Sequence, residues 1–177
     1  MGKSHDLATI ATDGLPTLEV DTIKNTSGTT GLTIDSSGRP LTPARPAFKA
    51  YSSSSGWQSF GSVNDTKMPF AATQHNVGGH WDTTNYKFVA PCNGVYLFIG
   101  QFYHDANTEA QIRIKRNGST VDAFASDSTQ GDTVQTSTTL QLTTNDYMEL
   151  WGKISNSDAD DWYADPSYSY FCGYLVG

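Results

Sequence analysis

An all-β fold, a sandwich or jelly roll, is predicted by three features of this sequence. Its 177 residues include 15 Asp but only 3 Glu, together with 40 Ser and Thr, a bias toward turn and strand formers and away from helix formers. From residue 47 onward short strand-like runs recur at fairly even spacing, separated by Gly-, Asn- and Asp-containing turn signals. No stretch sustains a 3.6-residue apolar period, which excludes a helical bundle. Leu, Ile, Val and Phe supply only 33 residues, a level that accompanies disorder in highly charged chains. Charged residues are only 16% here, and nine Tyr and four Trp add large buriable surface, so an ordered domain is expected. One domain of roughly 130–150 residues plus a short appendage fits this composition.

Residues 1–15 show no clear periodicity and read as a tail. From Pro16 the pattern changes. Leu18, Val20 and Thr22 alternate with Thr17, Glu19 and Asp21, then Asn25-Thr26-Ser27-Gly28 turns the chain toward Leu32 and Ile34, and Asp35-Ser36-Ser37-Gly38 turns it again. Two short strands follow from this. Such a pair exposes more edge than it buries, so the segment 16–46 is expected to need other chains for stability. Pro40, Pro43 and Pro46 fix their own φ and push their predecessors toward extended geometry, which predicts a stiff connector and a domain boundary. The head, residues 47–177, then reads as strands at 47–51, 68–72, 87–90, 95–102, 110–115, 120–125, 133–143, 147–154 and 170–176. Asn93-Gly94, Asn117-Gly118, Gln130-Gly131-Asp132 and Asn145-Asp146 mark the turns between them.

Net charge of −7 argues against nucleic acid as a partner, since phosphate binding needs clustered cations. No 18-residue apolar run is present, so no membrane insertion is expected, and Met1-Gly2-Lys3-Ser4-His5-Asp6 lacks the apolar segment of an export signal. Asp6 stands where a myristoylation site needs Ser or Thr. Cys92 and Cys172 are too few for a disulfide scaffold and read as buried free thiols, with one long-range disulfide as the alternative. There is no Gly-x-Ser-x-Gly, His-Glu-x-x-His or Walker loop, and no enzyme is predicted.

The head carries a longer pattern. Phe88-Val89-Ala90-Pro91-Cys92-Asn93-Gly94-Val95-Tyr96-Leu97-Phe98 resembles the Phe-x-x-Pro-x-x-Gly-x-Tyr-x-Phe signature of the complement C1q and tumour-necrosis-factor superfamily. Ala47-Phe48-Lys49-Ala50 resembles its opening strand, and Phe70, Asn76 and Gly79-His80-Trp81-Asp82 match its aromatic, Asn and Gly-x-aromatic-Asp positions. Asn117-Gly118 matches its hairpin, Leu140, Leu142 and Asp146 its Leu-x-Leu-x-x-Gly-Asp segment, and Tyr170-Phe171-Cys172-Gly173-Tyr174-Leu175 its closing strand. Asn145 replaces the usual Gly, which Asn tolerates in left-handed geometry, and Cys172 replaces the usual Ser. The resemblance implies a ten-stranded C1q/TNF-like jelly roll that assembles as a homotrimer, with Tyr96, Phe98 and Phe171 placed in or near the threefold interface. No Gly-X-Y repeat occupies the segment before the head. Residues 18–40 instead resemble the β-rich lead-in segments of bacteriophage fibre and virion surface proteins, especially those of marine phages. That resemblance implies a virion surface protein assembled in the host cytoplasm and joined to other virion proteins through residues 1–40.

Candidate binding residues come from the run 155–166, where four carboxylates and two aromatics fall in twelve residues. Asp158, Asp160, Asp161, Trp162, Tyr163 and Asp165 are assigned to a solvent-exposed receptor-binding loop, because clustered carboxylates resist burial while exposed rings gain from a partner. Carboxylate oxygens there suit Ca²⁺ or sugar hydroxyls, but the spacing is not that of an EF-hand, and no resident cofactor is expected. His75 and His80 read as one loop and His104-Asp105 as another, with no third adjacent ligand and hence no metal. The aromatics Tyr96, Phe98, Phe102, Trp151, Tyr168, Tyr170 and Tyr174 read as core or subunit packing. The functional reading is a trimeric phage fibre tip that binds a host surface glycan or outer-membrane protein. A capsid or tail decoration protein is the alternative, and a secreted adhesin or lectin-like module the second.

Overall fold

The computed structural model describes residues 20–60, 64–105, 108–155 and 161–177, and every regular element among them is a strand. The expected tail and the alternation beginning at Leu18 lie outside the described residues. The chain forms two compact units, Met1–Ala44 and Arg45–Gly177.

The first unit holds β1 (Thr22–Lys24), β2 (Thr30–Ile34) and β3 (Pro40–Leu41) in one antiparallel sheet. Side-chain acceptors close both turns. Asn25 Oδ1 takes the Thr29 N–H at 2.8 Å, and Asp35 Oδ1 takes the Ser37 and Arg39 N–H groups at 2.9 Å. The backbone of Arg39 and its guanidinium, 2.7 Å from Oδ2, lower the Asp35 pKa. The sequence predicted two strands and a stiff connector, whereas Pro40 opens a third strand. At a strand's first position proline's missing donor costs no ladder bond. All of β1 is exposed, Ile23 in it is 54% accessible and Leu41 of β3 49%, so this sheet buries little of its apolar surface.

The second unit comprises β4 (Ala47–Tyr51), β5 (Gly56–Gln58), β6 (Thr66–Lys67), β7 (Ala72–Val77), β8 (Trp81–Asp82), β9 (Lys87–Val89), β10 (Gly94–His104), β11 (Ala110–Arg116), β12 (Thr120–Asp127), β13 (Asp132–Leu142), β14 (Tyr147–Ile154), β15 (Trp162–Ala164) and β16 (Tyr170–Leu175). One sheet runs β13-β10-β16-β4-β7 and the other β12-β11-β14-β9-β8, with β6 also on β14, while β15 and β5 form a separate ribbon. The two five-strand paths are the ten strands of the jelly roll that the resemblance implied. A strand expected at 68–72 is absent: β6 stops at Lys67 and β7 begins at Ala72. Pro69 supplies no N–H, and Met68 and Phe70 bury their side chains from an irregular stretch instead. His75 belongs to β7 rather than a loop.

Strand alternation builds the core. Tyr96, Phe98 and Phe102 of β10, Phe171 of β16 and Phe48 of β4 face Ile112 and Ile114 of β11 and Met148 and Leu150 of β14 across the sandwich, and all are essentially inaccessible. Phe48 sits at the centre, stacked on Trp81 at 4.9 Å and Phe88 at 5.0 Å and edge-on to Phe171 at 5.3 Å. Asn76 holds Trp81 in place. Its Oδ1 accepts the Trp81 N–H at 2.9 Å and its Nδ2 donates to the Trp81 carbonyl at 3.0 Å, while the indole Nε1 donates to Phe70 O. Asn145, at φ +75°, turns the chain into β14 as its left-handed tolerance requires. The neighbouring Asp146 accepts from Asn117 Nδ2 and from Thr143 N and Oγ1, all at 2.8 Å, and these bonds hold its carboxyl below the usual range.

Rings packed this tightly set a size limit on the facing strand. A Cβ at Gly173 would lie 2.5 Å from Phe98 Cδ1 and 2.8 Å from the Leu97 carbonyl oxygen, which belongs to the ladder and cannot retreat. Gly173→Ala is expected to destabilise the head by about 1–3 kcal/mol in urea or thermal unfolding. An unchanged midpoint would show that β10 and β16 are not packed at this distance.

Candidate functional site

Two surface features separate the head from a closed, self-sufficient sandwich. The first is the outward face of the β13-β10-β16-β4-β7 sheet. The period of two that sends Tyr96, Phe98 and Phe102 inward sends Val95, Leu97, Ile99, Gln101 and Tyr103 outward. Register aligns Leu97 with Tyr174 and Ile99 with Cys172, and Tyr170 with Gln101, giving a continuous, mostly apolar field across β10 and β16. Val95 is 39% and Tyr174 45% accessible. Cys172 lies between Ile99 and Lys49 in register, and Lys49 Nζ rests 4.3 Å from the Tyr170 ring centroid. Burial pushes the Cys172 thiol pKa up, with the Lys49 charge acting in the opposite sense. Little thiolate exists near neutrality, which argues against a nucleophilic role. Cys92 and Cys172 are both free thiols.

The opposite sheet shows what a finished outward face looks like in this chain. Asp65 accepts from Arg113 Nη1 at 2.6 Å and Lys115 Nζ at 3.0 Å, and Glu149 pairs Lys67 at 3.0 Å. Lys115 also covers the Trp151 ring at 4.0 Å and Arg113 the Phe124 ring at 5.0 Å. Charges and rings on that face satisfy one another within one chain.

The second feature is a cleft of about 360 Å³ lined by Trp57, Tyr103, Tyr163 and Tyr168. Its base is the β5–β15 ribbon, in which Trp57 and Tyr163 are direct cross-strand partners with rings 5.2 Å apart. Tyr103, near the end of β10, lies 5.6 Å from Trp57 and 5.5 Å from Tyr168. One buried serine ties the parts together: Ser169 Oγ donates to Tyr163 O at 2.6 Å and accepts the Tyr103 N–H at 3.3 Å.

These positions correct several sequence expectations. The run 158–165 is not an exposed loop throughout, because β15 occupies Trp162–Ala164. Alternation along β15 turns Trp162 inward, 1% accessible, against Phe60 and Phe70. Asp161 is equally buried, its Oδ2 accepting the Phe60 N–H at 2.7 Å and Ser59 Oγ at 3.1 Å; those bonds offset the burial of its charge. Asp165 shapes the following turn, with Oδ1 taking the Ser167 N–H at 2.7 Å. Asp158 and Asp160 lie outside the described residues, and of the four assigned residues that are described Tyr163 lines the cleft. Tyr96, Phe98 and Phe171, expected in or near a threefold interface, are each 0% accessible within a single chain and pack the sandwich. Their outward-facing strand neighbours Leu97, Ile99 and Tyr174 hold the surface positions. Trp57 and Tyr103 were missed, although Trp57 stands in a Ser- and Gly-rich stretch with no apolar neighbour to pack against locally.

His104 ends β10 rather than sitting in a loop, and it is fully buried with neither ring nitrogen hydrogen-bonded among the described residues. Among the described residues no group of three or more His, Cys, Asp or Glu is placed to hold a metal.

The C1q domain family matches residues 47–176. Mouse complement C1q tumor necrosis factor-related protein 3 is 29% identical over 110 residues, 60% of this chain and 43% of that protein, and its human counterpart is 28% identical over the same length. The chain thus spans less than half the length of these curated relatives. Among solved structures, the globular domain of zebrafish complement 1qA superposes with a TM-score of 0.56 at 14% identity, covering 75% of this chain and 98% of that one. Murine APRIL superposes at 0.61 with 11% identity, covering 75% and 99%. These likenesses show a shared fold.

Burial of His104 lowers its pKa, only partly countered by Asp127, Asp132 and Asp105. The folded chain therefore binds this proton less readily than the unfolded chain does, and stability is complete above about pH 6.5 and falls as pH drops below it. Chemical denaturation across that range is expected to show this loss, and His104→Leu to flatten it. A variant with the same pH profile as the parent would contradict this assignment.

Proposed function

The chain belongs to the C1q domain family, and from that premise we propose that it is a non-enzymatic, homotrimeric binding head carried at the tip of a bacteriophage fibre. C1q/TNF-like domains are typically binding modules that form homotrimers. The observation that carries the reading is the apolar face of β10 and β16: among the described residues, Leu97, Ile99 and Tyr174 have no charged or cation–π partner of the kind that completes the opposite sheet. Three copies meeting there would remove this face from water.

The virion part of the reading rests on the segment before the head. It carries a β-sheet with exposed Ile23 and Leu41 instead of a Gly-X-Y repeat, and its sequence resembles phage fibre lead-ins. In this proposal residues 1–40 anchor the trimer to other virion proteins on a particle assembled in the host cytoplasm. The head then faces a host surface glycan or outer-membrane protein. Three weak sites on one rigid head would gain avidity of ~10²-fold or more over one.

Light scattering is expected to give a trimer at micromolar concentration. Ile99→Glu, which sets a carboxylate in the middle of the apolar field, should convert it to a folded monomer with unchanged circular dichroism. A wild-type monomer, or an Ile99→Glu trimer, would overturn the assembly. Deleting residues 1–44 should leave a folded head that no longer joins particles; incorporation of that head would overturn the anchoring.

A further inference from the structure

From the aromatic cleft we infer that the head binds a neutral saccharide, with a pyranose ring seated over Trp57 and Tyr163 and its hydroxyls bonded to the surrounding phenols. This names a ligand class and rests on the reading of the head as a binding module, though not on its place in a virion. The cleft's volume of about 360 Å³ lies within the ordinary range of small-ligand sites, roughly 300–1,000 Å³.

Composition of the lining selects the ligand. Trp57, Tyr103, Tyr163 and Tyr168 offer apolar ring surface, and among the described residues no charged side chain lines the cleft. The phenol hydroxyls of Tyr103, Tyr163 and Tyr168 and the indole N–H of Trp57 make no hydrogen bond among the described residues. These groups provide four donors, three of which also accept, set around ring faces. A pyranose presents the matching surface: a C–H face that packs on an aromatic plane, edged by hydroxyls that both donate and accept.

Competing chemistries fit less well. A purely apolar ligand would strip water from the four polar groups and return no hydrogen bond. A quaternary ammonium needs space enclosed by rings, but these rings touch one another, with centroids 5.2–5.7 Å apart around the cluster, and no carboxylate among the described residues lines the cleft. An anionic ligand meets a chain of net charge −7 with no cation among the described residues of the lining.

The cleft is also braced before any ligand arrives. Ser169 fixes the backbone at Tyr163 and Tyr103, Gln101 Nε2 donates to Tyr168 O at 3.0 Å, and the Asp165 carbonyl accepts the Tyr168 and Ser169 N–H groups at 3.0 and 2.8 Å. Rings held this way lose little freedom on binding, which favours recognition of a small neutral molecule.

The test is the full chain on an array of neutral and sialylated oligosaccharides, followed by calorimetric titration with the strongest neutral binder and with choline chloride. Binding to a neutral glycan is expected, weakened about tenfold or more by Trp57→Ala and several-fold by Tyr163→Phe, which keeps the ring and removes the hydroxyl. Tyr168→Ala, a change at an exposed ring, serves if Trp57→Ala does not fold. No neutral glycan bound, binding only to choline or sialylated glycans, binding indifferent to folded cleft variants, or a second copy found filling the cleft would each overturn the inference. A trimer that joins particles and adsorbs to hosts but binds no sugar would sink this inference alone. Sugar binding by a chain that joins no particle would sink only the virion reading.

Discussion

The head depends on the period-two alternation of a single strand. β10 is eleven residues long and paired on both sides, so every side chain it carries is committed to one face or the other. Its inward set, Tyr96, Phe98, Phe102 and His104, packs the sandwich, and Gly100 leaves room for Leu150, which a Cβ there would meet at 2.2 Å. Its outward set, Val95, Leu97, Ile99 and Tyr103, makes the apolar field and one wall of the cleft. A slip of one residue would exchange the two sets and lose core and surface together.

The two outward faces differ in how their chemistry is completed. On the β11–β14 side, Asp65, Arg113, Lys115, Glu149 and Trp151 form a network within the chain. Such pairs contribute modestly to stability when exposed, but they leave little that a partner could improve. On the β10–β16 side Lys49 over Tyr170 is the one cation–π contact among the described residues, and the aliphatic rows around Ile99 have no such completion among them. An apolar field gains by association what a charged network would lose through desolvation. The same physics explains why burial, not charge, governs Cys172 and His104.

Much of the fold was legible in the sequence. Long alternating runs such as 95–102 and 147–154 fixed their strands to within a few residues, because both faces of the pattern were informative. The short elements were not legible: β5, β8 and β15 have two or three residues each, too few to show any period. The site suffered most from this. Trp162 and Asp161 read as exposed because they stand in a run of four carboxylates, yet three-residue β15 turns Trp162 inward and hydrogen bonds from Phe60 N–H and Ser59 Oγ accommodate the Asp161 carboxylate. Tyr96, Phe98 and Phe171 stand out through the signature motif, but such a motif does not say which of two adjacent alternating positions faces inward; register and packing turn these three into the core. Trp57 and Tyr103 join Tyr163 only through register and tertiary packing, which no local signal reports.

In the proposed trimer the outward face of β10 and β16 is covered by other copies of this chain while the face of β11, β12 and β14 meets water. Hydroxyl-radical footprinting of the native protein, read residue by residue by mass spectrometry, addresses both faces in one sample. The expected result is protection of Leu97, Ile99 and Tyr174 together with strong labelling of Phe124, which is 51% accessible on the opposite sheet. Comparable labelling of the two faces, each in proportion to its exposure in a single chain, would contradict it.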